Sequence, residues 1–524
     1  KEAKGMSWQV HLPALVLSVP LLGAFVALLM VKPILRNLWF TFILVATTVL
    51  AFLLWRRVGI SGTMVYVMGG EKWNLTLPSG MALPIRIIME VDAFGAFMIL
   101  TGSLATLASG LFSIRFLDRV HDGNKFVALF FLLFTGMLGL EATGDLFNFF
   151  VFLEIASVAS FGLIAFWRDS PEAVEASFKY AVLSIFVALL FLIGVGILYG
   201  IYGTLNMAAV AKNMQVGFLE KVALVLFITS MAMKCGAVPL HMWEPDAYGQ
   251  APAGVSCFLV VVGQASLYGM FRIAFSVYGQ AFQGSVLAWI IIVFGLLSMF
   301  IGVIMAVIQK EAKRLMAYHC ISQTGYMLMG IGLGLLALSS PQAMSEYGFT
   351  AMKGGIFHII NNAMYKGLLF LTAGSLFYAT GTTELDKLGG ISRNMPYTTM
   401  MFAVAAAAIA GLPPFNGFVS KLLIYESSFV VHPFLAVVAM VTSILTLASF
   451  VKVFQSGFLG PSREELASTR EVPLTMIVGM SVLCLMILGL SLMPNWALSN
   501  LIEPAARDLV NQASYIQAVM GSGL

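Results

Sequence analysis

Apolar runs long enough to cross a bilayer recur from Val10 to Leu492, and this constrains the fold more than any motif does. A helix needs about 20 mostly apolar residues to span the hydrocarbon core. By that criterion the sequence predicts about fourteen spans, near residues 10–30, 37–55, 92–112, 126–141, 146–166, 173–202, 217–238, 252–278, 283–308, 314–338, 348–378, 397–428, 432–457 and 471–492. Of the 524 residues, 60% are hydrophobic and 10% charged, whereas an average soluble domain has about 25% charged residues. The mean hydropathy is +0.93. No water-soluble fold hides that much apolar surface, so the expected fold class is all-α, polytopic and lipid-embedded. Val10–Met30 is too long for a signal-peptide core and lacks a cleavage site, so it reads as a retained helix. Alternation around Thr63–Val67, in the linker before Val91, suggests a small hairpin.

The remaining composition excludes several classes. Net charge is +4, which here reflects loop Lys and Arg, not a nucleic-acid surface. Cys235, Cys257, Cys320 and Cys484 lie far apart in apolar stretches. An iron–sulfur cluster needs grouped thiolates, so neither cluster nor disulfide is expected. No phosphate loop, HExxH or Ser–His–Asp pattern is visible, and no cofactor, metal or bond chemistry is expected of the chain itself. Loop Lys and Arg, about thirteen against about ten, place the face with Lys32, Arg115, Arg168, Lys310 and Arg393 in the cytoplasm. Both termini are then outside a cell membrane.

Two spans should be broken, at Pro239 and at Pro413-Pro414. Proline removes a donor and clashes with the preceding turn. Paired interrupted helices point to inverted repeats, and the order of features agrees: Lys234 precedes its proline, whereas Lys421 follows. The expected layout is residues 1–125 as three helices with an outer loop, 126–280 and 281–457 as two five-helix repeats, and 458–524 as the last helix and a weakly amphipathic tail.

Several ionisable residues stand inside these runs. Glu154 has no other formal charge within eight residues on either side. Ionisable groups at that depth are costly and are functional candidates by default; satisfaction by neighbouring hydroxyls is the plainer alternative. Lys234 ends the apolar run Val222–Met233, where snorkelling to the interface is the alternative. His358, Asn362 and Lys366 recur every four residues on one helix face, as a polar stripe or a hydrated proton wire. His319 and Gln323 share the same spacing, with Tyr326 nearby; His319 is either a relay or structural. His241 sits beside the break and reads as structural.

These residues and their surroundings resemble the antiporter-like subunits of respiratory complex I, Mrp-type cation/proton antiporters and energy-converting membrane-bound hydrogenases. The resemblance covers roughly residues 60–460. It rests on Gly144-Asp-Leu-Phe with Phe-Leu-Glu154, Lys234 with Pro239-Leu-His-Met-Trp-Glu-Pro-Asp246, Lys313-Arg-Leu-Met-Ala-Tyr-His with Gln323-Thr-Gly-Tyr326, His358 with Lys366-Gly-Leu-Leu-Phe-Leu, and Gly411-Leu-Pro-Pro-Phe-Asn-Gly-Phe with Lys421. It implies fourteen helices with inverted repeats and functional roles at Glu154, Lys234, Lys366 and Lys421, the first two as a coupled pair. The family usually has a Lys or His in the helix after Pro252; Val255–Met270 has neither, and Gln264 is the nearest polar candidate. The place of a second His in the helix of His358 is taken by Asn362. The Gly381–Arg393 loop leans toward the hydrogenase or Mrp branches.

The expected function is a proton-translocating subunit of an ion-pumping complex. Its partners are other membrane subunits, lipid and protons, with Na⁺ as a further candidate ion. A self-sufficient Na⁺/H⁺ antiporter and a scaffold with a vestigial path are the alternatives. A Glu154–Lys234 pair about 5 Å apart at an effective dielectric near 20 would be worth about 3 kcal/mol. Lys421 is expected near a hydrated exit, beyond its break.

Overall fold

A computed structural model describes residues 8–68, 75–76, 82–83, 87–117, 122–282, 285–461 and 463–521. The first helices are α1 (Leu12–Leu29) and α2 (Pro33–Ser61), followed by strands β1 (Met64–Val67), β2 (Leu75–Thr76), β3 (Ala82–Leu83) and β4 (Ile88–Val91). Then come α3 (Ala93–Leu117), α4 (Gly123–Ala142), α5 (Leu146–Ile164), α6 (Pro171–Tyr202), α7 (Met207–Asn213), α8 (Phe218–Lys234), α9 (Glu244–Gln250) and α10 (Ala253–Phe271). The second half holds α11 (Ser285–Val307), α12 (Ala312–Ala337), α13 (Pro341–Ala343), α14 (Phe349–Thr380), α15 (Pro396–Ala410), α16 (Asn416–Val431), α17 (Pro433–Val453) and α18 (Leu474–Leu492). The short α19 (Pro494–Ala497), α20 (Glu503–Val510) and α21 (Gln512–Met520) close the chain.

Among the described residues, eleven helices are long and apolar enough to cross a membrane. The predicted spans near 217–238 and 397–428 are not continuous: α8 stops at Lys234, and α15 and α16 are separate helices. Burial sorts the helices. The apolar windows of α10 and α12 are 94% buried and those of α2 and α6 only 39%, so the former are central and the latter peripheral. Glycine lets the second half close tightly. A Cβ on Gly325 would meet Gly295 O and Met299 N at 2.5 Å, and one on Gly330 would meet the Gly355 backbone, the small-residue contact that lets membrane helices approach.

One end of the bundle carries a polar cap. The hairpin is present, with β1 antiparallel to β4 and Val65 opposite Glu90. Glu90 accepts hydrogen bonds from Asn206 Nδ2 at 2.8 Å and from Tyr515 Oη at 2.5 Å. Next to it, Asp92 receives both Arg272 terminal nitrogens at 2.6 Å. Asp508 accepts from the Ala93 amide at 2.8 Å. These bonds fasten α20 and α21 onto the hairpin and the start of α3.

Candidate functional site

The interruptions set the site. After α8 the chain runs without regular helix from Cys235 to Trp243, passing Gly236 at φ +69 and Pro239, before α9 begins at Glu244. Between α15 and α16 the irregular stretch is 411–415, around the expected break at Pro413-Pro414. Each break puts a lysine beside backbone that lacks helical partners.

Lys234 is 6% exposed, so it does not snorkel. Its ammonium donates to Ser157 Oγ at 2.6 Å and Ser184 Oγ at 2.9 Å, with Tyr180 Oη at 3.5 Å. Glu154 makes no direct ion contact with Lys234, although the two are close enough to interact electrostatically. Ser157 lies one turn along α5 from Glu154 and takes the lysine instead, while Glu154 Oε1 is enclosed without a hydrogen-bond partner. The ammonium on α8 is thus held by a hydroxyl one turn from the carboxyl on α5, and that hydroxyl donates to Leu153 O, not to Glu154. A cavity of about 10 Å³, lined by Ser157, Tyr180, Lys234, Tyr248 and Gly263 among others, lies against the lysine.

Gln264 occupies the centre of α10, donating to Ile359 O at 3.0 Å and leaving its own oxygen unpartnered. In the second half, His358 has both ring nitrogens engaged. Nδ1 lies 3.0 Å from Ser420 Oγ, and Nε2 lies 3.1 Å from Gln323 Oε1 and 3.1 Å from Tyr365 Oη. The stripe does not run down α14 as one chain of hydrogen bonds. Lys366 turns away to Met316 O at 2.6 Å, and Asn362 leaves Oδ1 unpartnered toward the centre. His319 is fully buried with neither ring nitrogen bonded, and its ring lies 4.8 Å from that of Phe450. His319 and Gln323 are thus neighbours on α12 that share no hydrogen bond.

Lys421 is 1% exposed, which contradicts the hydrated exit expected for it. Its Nζ donates to Ile409 O at 2.8 Å and to Ser443 Oγ at 3.0 Å, and lies 5.0 Å from the centre of the Tyr326 ring. It closes the carbonyl end of α15 at Ile409 O, one of the terminal carbonyls that a helix leaves without intrahelical partners. A cation suits the negative end of a helix, which explains why the lysine folds back into the break.

Several participants were not singled out from the sequence: the hydroxyls of Ser157, Tyr180 and Ser184, Tyr365, the Asn361–Asn416–Ser420 group, and the buried carboxyls Glu141 and Glu244. Asn361 and Asn416 bond each other at 2.8 Å, and Asn361 also donates to Ser420 Oγ at 3.0 Å. A carboxyl residue next to a predicted helix break was the available signal for Glu244. A much larger cavity, about 560 Å³, opens beside Pro252 and has Asp169, Glu311 and Lys313 on its wall. Among the described residues, no group of His, Cys, Asp and Glu could hold a metal.

The family profile described as NADH:quinone oxidoreductase/Mrp antiporter, TM, matches residues 143–446, more than half the chain and every lysine of the site. The chain belongs to this family. It is 33% identical over 445 residues to a Na(+)/H(+) antiporter subunit of Alkalihalophilus pseudofirmus, covering 83% of this chain and 86% of that one. It is 32% identical over 518 residues to an NADH-quinone oxidoreductase subunit of Desulforudis audaxviator, covering 94% and 98%. A chain of the Mrp complex from Dietzia sp. DQ12-45-1b superposes with a TM-score of 0.86 at 26% identity, covering 98% of this chain and 100% of that one. The likeness to this antiporter family thus holds over nearly the whole length, and the relatives are subunits of multisubunit membrane complexes.

Proposed function

We propose that this chain is the proton-translocating subunit of a multisubunit ion-pumping membrane complex, with Glu154, Lys234, Gln264, His319, His358, Lys366 and Lys421 along its path. The observation that carries the reading is the way the buried lysines are held. Lys234, Lys366 and Lys421 donate to hydroxyls and carbonyls and to no carboxylate. No salt bridge has to break before such a lysine hands on its proton. Ionisable groups that are this expensive to bury are retained for transport. Burial of the path in helices interrupted only beside protein also fits, since irregular backbone at this depth survives only there or beside water.

The finer layout belongs to the same proposal. About fourteen spans are arranged as two inverted five-helix units, 126–280 and 281–457, with 1–125 and 458–524 outside them. The interruption in each unit and the opposed order of lysine and proline support it. The face bearing Arg115, Arg168 and Lys310 is cytoplasmic and both termini are outside, on a cell membrane. The 560 Å³ cavity on that face brings water to Pro252.

The test is Glu154→Gln in the intact complex, which keeps shape and removes titration. The complex should assemble normally and proton uptake by membrane vesicles should be nearly lost. Uptake at the wild-type rate refutes the reading. Because one relative is named as part of a Na(+)/H(+) antiporter, the purified chain alone should also be placed in proteoliposomes. Sodium-driven proton flux without partners would favour a self-sufficient antiporter.

A further inference from the structure

Glu244 begins α9 and is 3% exposed. Its Oε2 has no hydrogen-bond partner. The carboxyl rests directly on Gly236, where any Cβ would collide with Oε2. It faces a water-sized cavity of about 10 Å³ lined by Tyr248, Gly263, Gln264, Cys320, Thr324 and Asn362. These come from α9, α10, α12 and α14, so the carboxyl stands where the two halves meet.

Two boundaries of this cavity matter. On the first-half side, Tyr248 and Gly263 also line the cavity of Lys234. Gly263 has no side chain, and a Cβ there would come 3.1 Å from Tyr248 Oη; this glycine and phenol form a wall common to both cavities. On the second-half side, Asn362 is one turn before Lys366 on α14. Cys320 is one turn after Met316, whose carbonyl holds the Lys366 ammonium at 2.6 Å. Lys366 is close enough to act electrostatically on Glu244. The other titratable groups around the carboxyl are Cys235 and Tyr248 on its own segment and Cys320 on α12.

We propose that Glu244 is the proton carrier joining the two halves, taking the proton from the cavity of Lys234 and passing it to Lys366. This deepens the proton-path reading and rests on it. The steps balance without any co-reactant but water. An N–H bond of the Lys234 ammonium breaks as an O–H bond forms on the Glu244 carboxylate, through water, leaving a neutral amine and a neutral acid. The O–H bond then breaks as an N–H bond forms on the neutral amine of Lys366, and the carboxylate returns. Gln264 cannot take the proton in this exchange; its amide orients water in the shared cavity.

An alternative role for Glu244 is a permanently neutral packing group, and the test separates the two. Glu244→Gln is the same shape and always neutral. In the assembled complex it should lower vesicle proton uptake at least tenfold, while Glu244→Asp, which still titrates, should keep a substantial fraction with a shifted pH profile. Infrared difference spectra on a pH step should lose a carboxylic carbonyl band in Glu244→Gln. Wild-type uptake by Glu244→Gln, alongside a dead Glu154→Gln, overturns the role of Glu244 and leaves the path standing. Wild-type uptake by Glu154→Gln overturns the path itself and the role with it. Should Glu244→Gln fail to assemble, the Glu244→Asp profile decides: a shift supports the carrier and an unchanged profile overturns it.

Discussion

Lys234 Nζ lies 2.6 Å from Ser157 Oγ, a hydroxyl one helical turn from Glu154. The serine donates its own hydrogen to Leu153 O at 2.6 Å, so its lone pairs are left for the lysine. A hydrogen bond to a charged group contributes about 1.5–3 kcal/mol. Ser157→Ala should therefore release Lys234 and slow proton uptake several-fold with assembly intact. Ser184→Ala should do less, because Ser157 and Tyr180 remain. Equal, wild-type rates in both variants would show that this hydroxyl has no part in coupling.

Lys366 and Lys421 are both essentially sealed from solvent, at 0% and 1% exposure. Lys366→Ala and Lys421→Ala should thus be about equally damaging to transport, not graded as an exposed exit would make them. Lys421→Glu should also fail. A carboxylate there would face Ile409 O, and Ser443 already donates to Ala410 O at 2.9 Å. Transport assays on the three variants check the order, and a functional Lys421→Glu protein would mean that water reaches this site.

Glu90 in the polar cap is pushed up by burial from the ordinary 4.5 to about 7, against the lowering effects of Tyr515, Asn206 and Arg272. The folded protein holds this proton more tightly than the unfolded chain does. Its stabilising contribution is complete below pH 4.5 and is lost as pH rises to about 7. The loss is at most about 3 kcal/mol. Asp92 goes the other way: burial pushes it up, but Arg272 and the backbone N–H groups of Gly95 and of Asp92 itself together hold it below its ordinary value, and it stays ionised across this window. Asp508 is raised by burial, so its contribution has the same sign as that of Glu90. Glu90→Gln should flatten the fall in Tm between about pH 5 and pH 8 without abolishing it. An unchanged slope would remove Glu90 from the account.

Gly325 is packed against the backbone of α11 with no room for a methyl group. Gly325→Ala should lower stability by about 1–3 kcal/mol, as overpacking does. The measurement is Tm of the detergent-solubilised complex, with Gly196→Ala as a control, because a Cβ at Gly196 meets nothing within 4 Å.

Helix positions, the two interruptions, the half-buried Glu154 and the buried lysines were legible because each is a local property of the sequence. A charge in an apolar run or a proline in a span can be read without knowing any neighbour. What each group touches was not legible. Glu244 and Asp246 stand two residues apart in one polar-looking loop, yet Asp246 pairs on the surface with Lys179 and Arg314, whereas Glu244 is buried and its Oε2 unpartnered. Only the turn of α9 decides which carboxyl looks inward. The nearness of Tyr248 to Gly263 likewise depends on the reversal at Pro252. Lys421 was misplaced because a break in a helix suggests access to water, while its side chain caps the carbonyls of α15 instead.

The polar cap has a consequence for how the protein is made. Tyr515 closes on Glu90 across a sequence separation of 425 residues. At a synthesis rate of about 5–20 residues per second, the interval between these two residues is roughly 20–85 s. Throughout it the carboxyls of the hairpin have emerged while their C-terminal clasp is still unmade. The latch is therefore made late: the helices synthesised between these two residues are locked at that end only once Tyr515 has been added, and a ribosome that stalls before it leaves a bundle whose cap cannot shut.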